Sequence, residues 1–324
     1  MFAMAIQGTA LSPLELPTPS PGTGQVLIEV AAAGVNRADL LQLKGLHPPP
    51  PGAPEHPGLE VSGTIAALGD GVDQWHVGDQ VCALLDGGGY ASHALACADE
   101  LLPIPDGVCL TDAAALPEAL ATVWSNLVGI AGLSGTDNSG TTVLVHGGSG
   151  GIGTAAIQLL RATGAVVFAT AGGSERVERC QALGAFGIDY RSEDFVSVVR
   201  AATGERGVDV ILDVVGAAYL QRNIDSLAPH GQLLIIGMQK GATGELNLGT
   251  VLSSWLSIHG SVLRRRPPQE KAAIIAQLRQ HAWPYLDRGQ VRPVVEAAMP
   301  LAQAAQAHAM LAAGEVFGKL LLIP

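Results

Sequence analysis

From residue 1 to about 120 the apolar positions come in short runs cut by Gly and Pro. Val26-Leu-Ile-Glu-Val30, Val61-Ser-Gly-Thr-Ile65 and Gln80-Val-Cys-Ala-Leu84 have the length and side-chain type of strands. His47-Pro-Pro-Pro-Pro-Gly52 is excluded from helix and from central strand, because proline removes a donor and fixes φ. An ordered surface loop is expected there, in a half that is mostly β. From about 140 to 262 the period alternates between strand and helix. Strands are expected at 142–146, 165–171, 186–189, 208–215, 232–237 and 257–262. Between them, Ile152/Ala155/Ala156/Leu159/Leu160, Val177/Cys180/Leu183, Phe195/Val198/Val199/Ala202 and Leu220/Ile224/Leu227 follow helical spacing. Strands alternating with amphipathic helices define a parallel, doubly wound α/β sheet. A helix at about 268–288 and a last strand at 319–323 complete the pattern, and that tail is expected to return to the first domain.

The chain has 324 residues, 48% of them apolar. That is enough for two domains with full cores and no need of a disulfide or metal staple. The net charge of -11 excludes a uniformly basic face, so no nucleic-acid partner is expected. Arg264-Arg265-Arg266 is read as a solvated face, and Trp255 and Trp283 as packing residues. The four cysteines have no Cys-x-x-Cys spacing and are expected as reduced thiols. No basic apolar leader and no apolar run of ~18 residues is present, which implies no membrane span and a cytoplasmic protein.

The most informative segment is Val143-Leu-Val-His-Gly-Gly-Ser-Gly-Gly-Ile-Gly153. Gly148, Gly150 and Gly153 fit G-x-G-x-x-G after a strand and at the opening of a helix, the Rossmann dinucleotide-binding context. The first glycine is read as permitting the tight turn, the second as letting backbone approach a pyrophosphate, and the third as letting helix and strand pack closely. The same letters admit a rival. Gly147-x-Ser149-x-Gly151 matches a nucleophile elbow and His146-Gly-Gly an oxyanion-hole motif, with Asp213 and His230 or His259 as further triad members. An elbow needs neither Gly150 nor Gly153, and the β-rich first 120 residues do not suit a hydrolase sheet. An NAD site would end the next strand in Asp or Glu. Here that strand ends Ala171-Gly-Gly-Ser174. Ser174 is positioned to cap the following helix and to meet a phosphate, and Arg176 to pair with a 2'-phosphate. NADPH is the expected cofactor.

Several further stretches resemble the quinone oxidoreductase branch of the medium-chain dehydrogenase/reductase superfamily. They are Gly34-Val-Asn-Arg-Ala-Asp-Leu-Leu41, His56-Pro-Gly-Leu-Glu-Val-Ser-Gly63, Val77-Gly-Asp-Gln-Val81, Gly88-Gly-Tyr-Ala91, Leu116-Pro-Glu-Ala-Leu-Ala-Thr122, Gly172-Gly-Ser-Glu-Arg176, Asp189-Tyr190 and Phe317-Gly-Lys319. The resemblance runs nearly the whole length. It implies a GroES-like catalytic domain at 1–121 and 266–324, discontinuous around a Rossmann domain at 122–265. It also implies a cofactor in the cleft between the domains and a homodimer joined through the Rossmann sheets. Where zinc-dependent relatives carry metal ligands, this chain has Asn36, Leu59 and the Leu116-Pro-Glu118 stretch without Cys, so no metal is expected.

Carried over position by position, Asn36 and Thr122 contact the nicotinamide end, and Gly148, Ser149, Gly150, Gly151, Ile152 and Gly153 form the pyrophosphate loop. Gly173, Ser174, Arg176 and Tyr190 hold the 2'-phosphate. Gly216, Gly237, Met238, Phe317, Gly318 and Lys319 line the rest. His47 stands where the family's proline loop usually begins with Tyr, and is the candidate proton donor. The expected reaction is metal-free hydride transfer from NADPH to a quinone. Reduction of an α,β-unsaturated carbonyl on the same scaffold is the alternative, and a cofactor-binding regulatory or RNA-binding protein the non-enzyme alternative.

Overall fold

The computed structural model describes residues 1–324, which divide into two units, Met1–Ala121 with Arg264–Pro324, and Thr122–Leu263. The chain first forms β1 (Phe2–Gln7), β2 (Ala10–Glu15), β3 (Gln25–Gly34), α1 (Arg37–Leu43), β4 (Glu60–Leu68), β5 (Gln80–Leu84), β6 (His93–Cys97), β7 (Leu101–Pro103) and α2 (Pro117–Leu127). There follow β8 (Thr142–His146), α3 (Gly151–Ala162), β9 (Val166–Ala171), α4 (Ser174–Ala182), β10 (Phe186–Asp189), α5 (Phe195–Ala202), β11 (Val208–Asp213), α6 (Leu220–Ser226), β12 (Leu227–Ile235), α7 (Leu248–Ser253) and β13 (Ser257–Gly260). The last stretch holds α8 (Pro268–Gln277), α9 (Trp283–Asp287), β14 (Val295–Pro300), α10 (Ala304–Ala313) and β15 (Lys319–Ile323).

The first unit is built on a seven-stranded sheet in the order β14-β15-β3-β4-β5-β7, with β6 also paired to β3. Val26, Ile28 and Val30 alternate along β3 into one core with Val61, Ile65, Val81 and the tail residues Leu320 and Leu322. The C-terminal strand β15 runs antiparallel to β3, Leu321 opposite Gly34. Backbone hydrogen bonds therefore tie the chain's end into its N-terminal sheet. A π-helical turn at Leu278–Ala282 joins α8 to α9, so the helix expected at 268–288 is continuous but widened in its middle. The His47–Gly52 stretch is loop.

Arg264 corrects the solvated-face reading. It is 5% exposed. Its guanidinium donates to the Asp86 carbonyl at 2.8 Å, to Gln42 Oε1 at 2.8 Å and to the His47 carbonyl at 3.0 Å. The rigid five-donor fork satisfies loop carbonyls that have no strand partners. Lys271 does similar work nearby, its ammonium lying between Asp86 and Glu100. Of the other two arginines, Arg265 is exposed and Arg266 is half-buried and paired with Glu270.

The second unit is an all-parallel six-stranded sheet in the order β10-β9-β8-β11-β12-β13. Counted from its own first strand this is 3-2-1-4-5-6, the Rossmann order, which reverses between β8 and β11. Val143, Leu144 and Val145 are fully buried, as a strand covered on both faces requires. Leu227 opens β12 opposite Val208 instead of closing α6. The strand then bends at His230, whose φ is 63°, and this moves its start five residues earlier than the apolar run 232–237 suggests. Trp255 also departs from expectation. It is 64% exposed and stacks on His230. No helix is long and apolar enough to cross a membrane.

Candidate functional site

The loop after β8 lies at the carboxyl edge of the sheet beside the order reversal, where open α/β sheets bind ligands. The left-handed turn belongs to Gly147, with φ of 72°. Gly148, expected to make that turn, is small for a different reason. A Cβ on it would lie 2.8 Å from Ala169 Cβ and 3.2 Å from Cys180 Sγ. Gly153 fills the expected packing role, since its Cβ would strike the Gly147 carbonyl and lie 2.6 Å from Gly148 Cα. Gly150 differs from both. A Cβ there meets only the Gly147 oxygen at 3.5 Å, so its outer side is open. Gly150 caps α3, and no acidic residue occupies that helix's first turn. The N–H groups of Gly151, Ile152 and Gly153 thus head a helix whose partial positive charge is uncompensated by protein.

His146 is buried, with Nδ1 against Thr170 Oγ1 at 3.0 Å and Nε2 against Asn223 Oδ1 at 2.7 Å. Burial pulls its pKa down to about 4. Both ring nitrogens are committed, His230 is stacked on Trp255, His259 lies on β13 three strands away from β8, and the Asp213 oxygens accept the Val215 and Gly216 N–H groups, so no triad forms on Ser149. The elbow reading fails on this geometry. Replacement of Ser149 by Ala is accordingly expected to leave reductase turnover essentially intact, as steady-state kinetics would show.

At the end of β9, Gly173 takes φ of 91° and is itself the cap of α4, so Ser174 is the first helical residue and not the cap. Ser174 is exposed and Arg176 half-buried. The strand end offers no carboxylate of its own, but the neighbouring β10 brings one. Asp189 Oδ1 accepts the N–H of Gly173 and that of Arg191, both at 3.0 Å. Those two hydrogen bonds, Gly173 first, hold the carboxyl below its ordinary range. Tyr190 and Arg191 lie against Gly172, where a Cβ would be 2.6 Å from Tyr190 Oη and 3.1 Å from Arg191 Nε. Lys240 Nζ stands 5.5 Å from the Tyr190 ring centre. Arg191 and Lys240 were missed in the sequence. Arg191 directly follows Tyr190, and a strand-end turn brings it back toward Gly173, a signal available only once β10 is paired with β9. On the other side of the order reversal, Gly216 (φ 82°) donates its N–H to Asp213 Oδ2, and its Cβ would lie 2.9 Å from Met238 Cα. A Cβ on Gly237 would lie 2.9 Å from the Val214 carbonyl oxygen, and Met238 is exposed beside them.

In the first unit, Asn36 caps α1 in a capping box with Asp39. Its amide is held at both ends. Nδ2 donates to Glu60 Oε1 at 2.9 Å, and Oδ1 accepts from Lys319 Nζ at 2.6 Å. Lys319 also pairs with Glu60, whose other oxygen accepts the Glu118 N–H at 2.9 Å. Lys319, expected among the cofactor contacts, holds both Asn36 and Glu60 with its ammonium. Phe317 is buried ahead of it, and Gly318 takes φ of 88° against Val294. Asp39 accepts from Asn36 N, Gly58 N and Tyr90 Oη, and burial raises its pKa to about 6. His47 is half-buried. Burial, then Arg264 and Arg265, push its pKa down. Thr122 is buried on α2, where its carbonyl accepts from Ser125 and Asn126. No group of three or more His, Cys, Asp or Glu side chains is arranged to hold a metal ion.

A Rossmann sheet with this glycine loop, carried between two parts of a GroES-like unit, defines a nicotinamide-nucleotide oxidoreductase of the medium-chain class. Residues 22–106 match the alcohol dehydrogenase GroES-like domain, and residues 151–279 match the family described as zinc-binding dehydrogenase. The quinone oxidoreductase of Sus scrofa is 33% identical over 292 residues, 90% of this chain and 86% of that protein. The Escherichia coli quinone oxidoreductase, solved in complex with NADPH, superposes with a TM-score of 0.85 at 27% identity, covering 100% of this chain and 99% of that one. A solved NAD-dependent alcohol dehydrogenase superposes with a TM-score of 0.88 at 30% identity and full coverage of both chains. The chain belongs to the quinone oxidoreductase branch of the medium-chain dehydrogenase/reductase superfamily and is an oxidoreductase. The regulatory and RNA-binding alternatives fall with that assignment, as does the hydrolase.

Proposed function

We propose that the protein is an NADPH:quinone oxidoreductase that works without metal. The observation that carries this reading is the group around Asn36. At the positions where zinc relatives hold their metal, this chain has Asn36, Leu59 and the Leu116-Pro-Glu118 stretch without Cys, and Asn36 is locked into a hydrogen-bonded network by Glu60 and Lys319. A site without a Lewis acid suits an acceptor that is already electron-poor, as a quinone is. NADPH, when bound, supplies the hydride. The backbone N–H groups of Gly148 to Gly153 would hold its pyrophosphate, Ser174, Arg176 and Tyr190 with Arg191 its 2'-phosphate, and Gly216, Gly237 and Met238 its middle. Asn36 and Thr122 would meet the nicotinamide end. The fit is supported by the open side of Gly150, by Arg191 against Gly172 and by Lys240 over the Tyr190 ring.

The test is NADPH oxidation followed spectrophotometrically with a panel of quinones and a panel of enals. Turnover concentrated in the quinones supports the proposal, and turnover confined to the enals replaces it with the enone reductase. Metal independence is checked in the same assay. Rates are expected to survive exhaustive chelation, and elemental analysis should find no stoichiometric zinc.

A homodimer through the second unit is part of this reading. Strand β13 is a sheet edge with unpaired backbone groups and carries the exposed Ile258, and Leu248 and Leu252 of α7, Trp255 and Val262 in the flanking segments are exposed as well. A flat apolar edge of this kind is a template for strand pairing with a second copy. Light scattering should give twice the chain mass. Trp255→Lys, which puts a charge in the patch, should give monomer.

A further inference from the structure

The glycine loop is tied to the sheet by side chains as well as by backbone, and the chain of contacts starts at the residue that precedes it. We propose that His146 is a positioning residue of the cofactor site. Its neutral ring fixes the Thr170 hydroxyl against the Gly147 N–H, and so sets the turn that presents the N–H groups of the loop. The inference rests on the reading of that loop as the pyrophosphate site and deepens it.

His146 closes β8 and lies directly opposite Thr170 of β9 in the parallel ladder. His146, Thr170 and Asn223 of α6 are all buried. The ring is wedged between Phe195 and Tyr219, edge-on to both, with centroids 4.8 and 5.0 Å away. Its two nitrogens meet side chains from opposite sides, Thr170 Oγ1 at 3.0 Å and Asn223 Oδ1 at 2.7 Å. Thr170 Oγ1 in turn lies 3.4 Å from the Gly147 nitrogen. The Gly147 carbonyl then accepts the Gly150 N–H at 3.0 Å, and Gly150 caps α3. A continuous path of hydrogen bonds therefore runs from α6, through the His146 ring and Thr170, to the turn at the head of α3.

The donors along that path have one consistent arrangement. Asn223 Oδ1 can only accept, so Nε2 of His146 carries the ring proton. In the neutral ring Nδ1 is then an acceptor, and the Thr170 hydroxyl donates to it. With its hydrogen turned toward His146, Thr170 Oγ1 presents lone pairs to the Gly147 N–H. Burial, which disfavours the imidazolium, keeps the ring in this form. A phenylalanine would fill the same space between Phe195 and Tyr219, but it would leave the Thr170 hydroxyl free to rotate and Asn223 Oδ1 without its donor. The polar ring thus adds orientation to what packing alone supplies.

The experiment measures Kd for NADPH and for NADH, steady-state kinetics and thermal stability in wild type, His146→Phe, Thr170→Val, Thr170→Ser and the double variant His146→Phe/Thr170→Val. His146→Phe and Thr170→Val should each weaken NADPH about 10-fold. NADH should weaken by the same factor, because the pyrophosphate is common to both cofactors. The loss should appear in KM, with kcat at saturating cofactor changed by less than about twofold. Thr170→Ser keeps the hydroxyl and should restore affinity. Residues that act in series should not add, so the double variant should bind as the weaker single variant does. Nitrogen-15 spectra of labelled histidine should place the proton on Nε2 of His146. Thr170→Val keeps the branched shape of the strand residue and carries the test if His146→Phe fails to fold. A lowered thermal transition with unchanged Kd in the single variants makes the network merely structural and overturns the proposal. A loss confined to NADPH, additive losses in the double variant, no rescue by Thr170→Ser, or a proton on Nδ1 overturns it as well. A wild type that binds neither NADPH nor NADH overturns the reading of the loop itself.

Discussion

Gly150→Val is expected to abolish cofactor binding while leaving the protein folded. The backbone at Gly150 has φ of -85°, which any residue adopts, and an added Cβ meets only the Gly147 oxygen at 3.5 Å. Nothing in the fold resists the new side chain. It instead occupies the open side of the loop, where the pyrophosphate is proposed to approach the N–H groups of α3. Losing that approach removes several backbone hydrogen bonds to a charged group, each worth about 1.5–3 kcal/mol. A rise in the NADPH Kd of about 100-fold or more should follow, with the thermal transition nearly unmoved. Gly153→Val gives the contrast. Its Cβ would collide with the Gly147 carbonyl and the Gly148 backbone, and overpacking of a rigid core costs about 1–3 kcal/mol or more. That variant should lose stability first and binding as a consequence. Calorimetry and binding measured on both proteins separate the two glycine roles. Equal affinity in Gly150→Val and wild type would remove the loop from the cofactor site.

The wild type is expected to prefer NADPH to NADH, and Arg176→Ala to lose most of that preference. No carboxylate ends β9, and the one that β10 brings, Asp189, has its Oδ1 occupied by the N–H groups of Gly173 and Arg191. It positions the turn through that oxygen. Arg191 lies against Gly172, and Lys240 lies over the Tyr190 ring. One charge-assisted hydrogen bond is worth about 1.5–3 kcal/mol, or about 10- to 150-fold in affinity. Because the contact is remote from the transferred hydride, the loss should appear in KM for NADPH with kcat nearly kept. NADH kinetics should hardly change. Arg191→Ala is expected to act in the same direction, and the double variant to approach equal use of the two cofactors. Equal losses with NADH and NADPH in Arg176→Ala would make that residue structural. A wild type that prefers NADH would overturn the cofactor proposal, and the similarity to an NAD-dependent enzyme makes the measurement decisive.

Local order determined the legible part. The strands at 80–84, 142–146 and 186–189 stand in the structure with the bounds that their apolar runs suggest, because a short buried strand is specified by its own side chains. The glycine loop was legible for the same reason. Its spacing carries its mechanism, although the assignment of roles shifted. Gly147 makes the left-handed turn and Gly148 yields space to Ala169 and Cys180, two residues from β9 and α4 that no local pattern connects to it.

What the tertiary structure alone decided is how the polar groups are spent. Arg264, in a run of three arginines, looked solvated, and the fold buries it because loop carbonyls around Asp86 and His47 need donors. Trp255 looked like core, and the sheet leaves it outside because β13 is an edge. Lys319 and Asn36 lie 283 positions apart and meet only when β15 pairs with β3. Through that pairing the final strand supplies the cation for Glu60. Hydrophobic periodicity reports which elements form and which face is buried, since both depend on near neighbours. Titration and hydrogen-bond commitment depend on charges brought together across the whole chain, which only the assembled fold defines.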